Sequence, residues 1–193
     1  MNDHEQRIKR LEEQINDLTN KNDRNNIKSD IIKSKEQVDL LNKWINNKNN
    51  EYSLIYKGSR DGDSFDNFHE KCDNKGPTIL IIESKDGEIF GGYTEKSWQK
   101  ICQVPSPESF LFNLNKKKKY SVKGNGYIHS DTFKGGQIGF GDNGWYELSF
   151  FNNYLNSPES TIFGVSSYEI QDYEISGGKK NFIIKEMEVY EIK

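Results

Sequence analysis

The sequence predicts an α+β protein: a two-sheet antiparallel β-sandwich flanked by short helices and preceded by an N-terminal coiled-coil helix. Three observations lead there. Two helical patterns stand near the start of the chain, whereas most of the chain after Tyr52 alternates at the two-residue period of strands. That order fits an antiparallel sandwich better than a parallel α/β sheet, which needs helices between its strands throughout. Finally, the hydrophobic fraction is only 33% and the charged fraction 30%, but 12% of the 193 residues are aromatic, enough for a real core.

Ile8, Leu11, Ile15 and Leu18 recur three and four residues apart, the a/d seam of a heptad repeat. Ile at a with Leu at d favours a parallel two-stranded coiled coil and hence a homodimer, in which Arg7 at g reaches Glu12 at e of the partner helix. Glu5, Lys9 and Glu13 follow at four-residue spacing on the outer face and support the helix modestly. A lone amphipathic helix docked on the domain would show the same pattern. The polar run Asn20 to Asn26 ends it. The expected division is therefore a coiled-coil helix over 1–24, a linker over 25–33 and a folded domain over 34–193.

Ser34-Lys35-Glu36-Gln37 spells a capping box, in which serine and glutamine side chains serve free amides at a helix start. Val38, Leu41 and Ile45 follow on one face, with Leu40 and Trp44 beside it, so a helix is predicted to about Asn46. Tyr52, Leu54 and Tyr56 then alternate as a strand. TILIIES reads as another, returned by the Asp86-Gly87 turn to Ile89–Tyr93 as a hairpin. FLFNL, the turn NKKKK, YSVKG, WYELSFF and the long NFIIKEMEVYEI complete the strand pattern, with a glycine-rich stretch in the middle.

The segment GSRDGDSFDNFHEKCDNKGPT holds four aspartates, a histidine and a cysteine, and invites a catalytic or metal reading. A calcium loop starting at Asp61 fails: Gly62 intrudes at position 2, Phe65 stands at 5, Asp66 at 6 and Cys72 at 12, where an EF-hand needs oxygen ligands, glycine and glutamate. The pattern fits a tight turn at Arg60-Asp61-Gly62, a helix capped by Asp63 or Ser64, and a buried face of Phe65, Phe68 and Cys72. Zinc could draw on His69, Cys72, Cys102 and His129, but no pair has the close spacing that anchors such sites. A reactive Cys72 would need an exposed thiolate beside a cation, and its place on the apolar helix face points the other way. Gly139-Phe140-Gly141-Asp142-Asn143-Gly144 matches a dinucleotide fingerprint in letters only, since strand-period residues follow where a helix is required. Lys116–Lys119 suits a solvated hairpin tip better than a localisation signal.

These readings leave no acid/base pair, triad or ligand cluster, so no catalytic residue, cofactor or metal is expected. The net charge of −3 gives no general attraction to nucleic acid. No apolar run approaches the length of a membrane helix, and MNDHEQRIKRLEEQ lacks the apolar core of a secretory signal. With two cysteines, a cytoplasmic protein with reduced thiols is expected.

From Lys35 onward the sequence resembles the TLDc domain of the oxidation-resistance proteins. The likeness rests on LIYKGSRDGDSFDNFHEKCDNKGPTILII, FGGYTEKSW and KEMEVYEI, and is most specific over Leu54 to Trp98. LFNLNKKKKYSV, the glycine-rich stretch and SSYEI are similar to short protist members that carry an N-terminal coiled coil. The resemblance implies a β-sandwich flanked by helices and a non-enzymatic protein-interaction role in the oxidative stress response, with binding to the vacuolar-type proton ATPase. It carries no agreed catalytic residues. Two other functions stay open on the residues alone: a peroxide-consuming enzyme using Cys72, and a scaffold protein built on the coiled coil.

Overall fold

In the computed structural model, residues 3–24, 27–46, 51–100, 102–131, 136–142, 145–150, 153–155, 160–162, 168–171 and 173–193 are described. Helix α1 spans Asp3–Arg24 and α2 Lys35–Ile45. Strand β1 (Tyr52–Lys57) leads into the single-turn helix α3 (Gly58–Asp61) and the longer α4 (Phe65–Cys72). The hairpin follows as β2 (Thr78–Ser84) and β3 (Ile89–Thr94), then β4 (Cys102–Pro105), β5 (Phe110–Asn113) and β6 (Lys118–Ser121). Strands β7 (Tyr127–Asp131), β8 (Gln137–Asp142), β9 (Trp145–Phe150) and β10 (Ser160–Ile162) come next. A 3-10 turn at Glu174–Ser176, β11 (Asn181–Phe182) and β12 (Ile184–Ile192) close the chain.

The strands form two antiparallel six-stranded sheets, ordered β1-β12-β2-β3-β5-β6 and β11-β10-β9-β8-β7-β4. Between them lies an apolar core that includes Tyr56, Leu80, Phe90, Trp98, Phe140, Phe150 and Val189. The C-terminal strand β12 sits second in the first sheet, paired with both β1 and β2. The last residues are thus structural centre rather than tail.

A second apolar layer covers the outer face of the first sheet. Ile79, Ile81, Tyr190 and Ile192 point outward there and are covered by Val38 and Leu41 of α2 and by Ile27, Ile31 and Ile32. The unbroken apolar run of β2 is explained by this burial on both faces. Helix α2 begins as its sequence dictates: Gln37 N donates to Ser34 Oγ at 3.3 Å, and Ser34 N donates back to the Gln37 side chain at 3.2 Å. It ends at Asn46, which takes the left-handed conformation common at helix ends. Ile27, Ile31 and Ile32 belong to the stretch that reads from sequence as linker, yet each is buried against the sheet.

The glycine-rich stretch forms the middle of the second sheet. Gly139 lies in β8 between His129 of β7 and Ser149 of β9. A Cβ there would meet the Leu148 carbonyl oxygen at 2.0 Å, so only glycine lets the strands approach this closely. The first two glycines of the apparent nucleotide fingerprint therefore sit in a strand, and Trp145–Phe150 continues as strand rather than helix. Asn143 and Gly144, the last two positions of that fingerprint, lie outside the described residues.

Candidate functional site

Two regions bear on function: the Gly58–Pro77 segment with its ionisable residues, and the N-terminal helix with the segment that ties it to the domain. The first is built from short local rules. Rather than a bare turn at residues 60–62, the chain makes the helical turn α3, ended by Gly62 at φ +92°. Of the two capping candidates, Ser64 takes the role: Asn67 N donates to its Oγ at 3.1 Å.

Each aspartate has a partner within the fold. The Asp61 carboxylate accepts from Lys57 N at 2.9 Å and from the Arg60 guanidinium at 2.9 and 2.6 Å, and that guanidinium holds its pKa below the usual range. Asp63 accepts from Leu155 N through its side chain and from Asn153 N through its carbonyl, pinning a distant segment. Asp66 pairs with Lys100 at 2.6 Å, and Asp73 with His69 at the same distance. Between the pinned segments, the Tyr56 hydroxyl donates to Gly62 O at 2.7 Å and is met by the Tyr154 hydroxyl.

Phe65, Phe68 and Cys72 point into the core from α4, as their spacing predicts. Phe68 stands edge-on to Tyr56, Trp98 and Phe150, joining the first sheet to the second. Cys72 is fully buried, and burial pushes its thiol pKa well up. A thiol in that setting is poorly ionised and out of reach of solution peroxide. His69 and Cys72 lie on α4, whereas Cys102 opens β4 and His129 lies on the adjacent β7. Among the described residues no group of three or more His, Cys, Asp or Glu is arranged to hold a metal.

His69 is buried, and its Nδ1–H donates to Asp73 while Nε2 has no acceptor nearby among the described residues. Protonation would place a charge and an unserved N–H in the core, so burial lowers its pKa despite the opposing pull of Asp73. A lowered folded-state value means that the unfolded chain binds the proton more tightly. The contribution is whole above the unfolded value of about 6.5 and is lost as pH falls through the folded one. Urea midpoints of wild type should therefore fall more steeply than those of His69→Phe between neutral pH and the acid side of that window. Parallel profiles for the two proteins would refute this account.

The lysine run forms the tip and one edge of the β5–β6 hairpin, with Lys118 and Lys119 already in β6. Lys117 pairs with Glu36 at 2.6 Å and Lys118 with Glu174 at 2.8 Å. Lys119 donates to Trp44 O at 3.1 Å and lies over the Phe110 ring. These lysines fasten α2 and the 3-10 turn to the sheet.

On α1, Ile8, Leu11 and Ile15 are 53, 50 and 63% exposed, and they are the exposed large hydrophobic side chains among the described residues. The side chain of Leu18 lies outside the described residues. Gln6, Arg7, Arg10 and Gln14 stand beside Leu11 on the same helix. Only residues 25 and 26 separate α1 from the buried Ile27.

The segment after Ile27 is held by a polar clamp that the sequence does not announce. Ser29 Oγ donates to the buried Glu188 carboxylate and accepts from Ile31 N and Ile32 N, both at 2.9 Å. Asp30 N donates to the other Glu188 oxygen at 3.1 Å, and the Tyr190 hydroxyl lies 2.8 Å from Glu188 and 2.9 Å from Lys28 O. Lys57 pairs with Asp30 and stands 3.8 Å from Glu188. Ser29 and Glu188 are 159 residues apart in the chain, so no local pattern could reveal them.

Two six-stranded sheets around one apolar core, a second apolar layer outside the first sheet and a core-plugging α4 define a β-sandwich domain. The chain belongs to the TLDc domain family, whose model matches residues 26–193. It is similar to the MTOR-associated protein MEAK7 of Danio rerio, 24% identical over 127 residues that cover 58% of this chain and 28% of that protein. The same protein of Gallus gallus is 32% identical over 84 residues, 43% of this chain and 16% of the relative. TBC1 domain family member 24 of Xenopus tropicalis is 28% identical over 98 residues, 46% and 17% respectively. The chain thus corresponds to less than a third of the length of each of these relatives. No described helix is long and apolar enough to cross a membrane.

Proposed function

We propose that the chain is a protein-interaction module of the cytoplasm that acts by binding rather than by catalysis, as a homodimer joined through α1. The observation that carries this reading is the contrast between its two regions. The aspartates of the Gly58–Pro77 segment are engaged in hydrogen bonds and ion pairs that hold the fold, while Ile8, Leu11 and Ile15 are exposed on one helix face. Large apolar side chains grouped in the open mark a contact surface.

For the partner, the family supports a subunit of the vacuolar-type proton ATPase and a role in the oxidative stress response. The names of the MEAK7 relatives favour a second class, an MTOR-containing assembly. Affinity purification of the full chain from cell lysate, with partners identified by mass spectrometry, tests both. Enrichment of proton-pump subunits is the expected result. Recovery of MTOR-complex components without pump subunits would replace the first partner by the second, and recovery of neither would overturn both.

A further inference from the structure

We propose that two copies of α1 wind together in parallel and in register, so that both TLDc domains stand side by side at one end of the coil. This arrangement rests on the dimer reading and adds its geometry. The seam residues Ile8, Leu11 and Ile15 are exposed on a 22-residue helix about 33 Å long. A helix of this length is marginal in water without packing on its apolar face.

The charges flanking the seam select the orientation. By heptad position, Glu5, Glu12 and Thr19 occupy e, whereas Arg7, Gln14 and Lys21 occupy g. A parallel pair brings each g against the following e of its partner, so Arg7 meets Glu12 twice per dimer. An antiparallel pair brings e to e and g to g, which gives up the Arg7–Glu12 pair and sets acidic e positions against each other. The face suits a second copy better than a lipid surface, because Glu5, Glu12 and Glu13 are interleaved with Arg7, Lys9 and Arg10 rather than replaced by cations.

The connection to the domain gives the arrangement its consequence. From Arg24 to Ile27 the chain can span only about 10 Å, and Ile27 is already buried on the outer layer of the first sheet. Parallel helices therefore deliver both outer layers to the same end, whereas antiparallel helices would hold the domains a coil length apart. A partner with two copies of one binding site could then engage both domains, and the second contact would be effectively intramolecular.

Sedimentation equilibrium of the full chain tests this. The expected mass is twice the 22.4 kDa of one chain. Ile8→Asp combined with Ile15→Asp should give a monomer whose urea midpoint is unchanged. Arg7→Glu and Glu12→Arg should each raise the dimer dissociation constant roughly tenfold, and the double exchange should restore it. A monomeric wild type, or a dimer that ignores the Ile8 and Ile15 changes, overturns the dimer reading itself. A dimer broken by those changes but tightened by Glu12→Arg, or not restored by the exchange, overturns only the parallel arrangement.

Discussion

Phe68→Ala is expected to destabilise the domain by about 3–5 kcal/mol, the range for removing a buried aromatic ring from a packed core. The ring is fully buried and makes edge contacts with Tyr56 at 5.4 Å, Trp98 at 5.2 Å and Phe150 at 6.1 Å. Tyr56 and Phe150 belong to different sheets and cannot collapse into the cavity without bending the strands that carry them. A domain of ordinary stability has roughly 5–15 kcal/mol to lose, so the variant should sit near its unfolding threshold. Urea unfolding followed by tryptophan fluorescence measures the change, because Trp98 packs against the deleted ring. A loss below about 1 kcal/mol would show that α4 is not the plug joining the sheets.

Glu188→Ala should cost about 3 kcal/mol by a different route. The carboxylate accepts from Ser29 Oγ, Asp30 N and the Tyr190 hydroxyl, and it faces the Lys57 ammonium at 3.8 Å. Alanine would leave the Ser29 hydroxyl and Asp30 N without this acceptor, whereas the Tyr190 hydroxyl would keep Lys28 O. Glu188→Gln keeps one acceptor oxygen and should cost about half as much. The local readout is tryptic cleavage after Lys28 and Lys33, which should accelerate in the alanine variant as Ile27–Ile32 lifts from the sheet. Unchanged cleavage with unchanged stability would refute the clamp. Because this segment connects α1 to the domain, loosening it should also weaken the link between α1 and the sandwich.

Much of the fold is legible from short-range rules. The capping box at Ser34, the Ser64 cap, the Asp86-Gly87 hairpin and the buried face Phe65, Phe68, Cys72 all arise where predicted. The segment that looks most chemical is explained in the same terms: Asp61, Asp63, Asp66 and Asp73 each serve an amide or an ion pair close by or across the core. Strands β7 and β8 are not legible. Gly139 and Gly141 lower the strand propensity of β8, and in β7 Ser130 puts a polar residue on the face of Ile128, so neither stretch reads plainly as a strand. The single-turn α3 is hidden for a related reason, since four residues are too few to show a period.

What the amino-acid order determines by itself is therefore local: helix starts, turns, the apolar three- and four-residue spacing along α1, and the family signature running from Leu54 to Trp98. Tertiary structure decides the rest. It places β12 between β1 and β2, buries Glu188 beneath a segment 159 residues away, and turns Ile27, Ile31 and Ile32 from apparent linker into core. The reason is that a glutamate in an alternating strand and an isoleucine in a polar stretch carry no local sign of what covers them. Their roles exist only once distant parts of the chain meet.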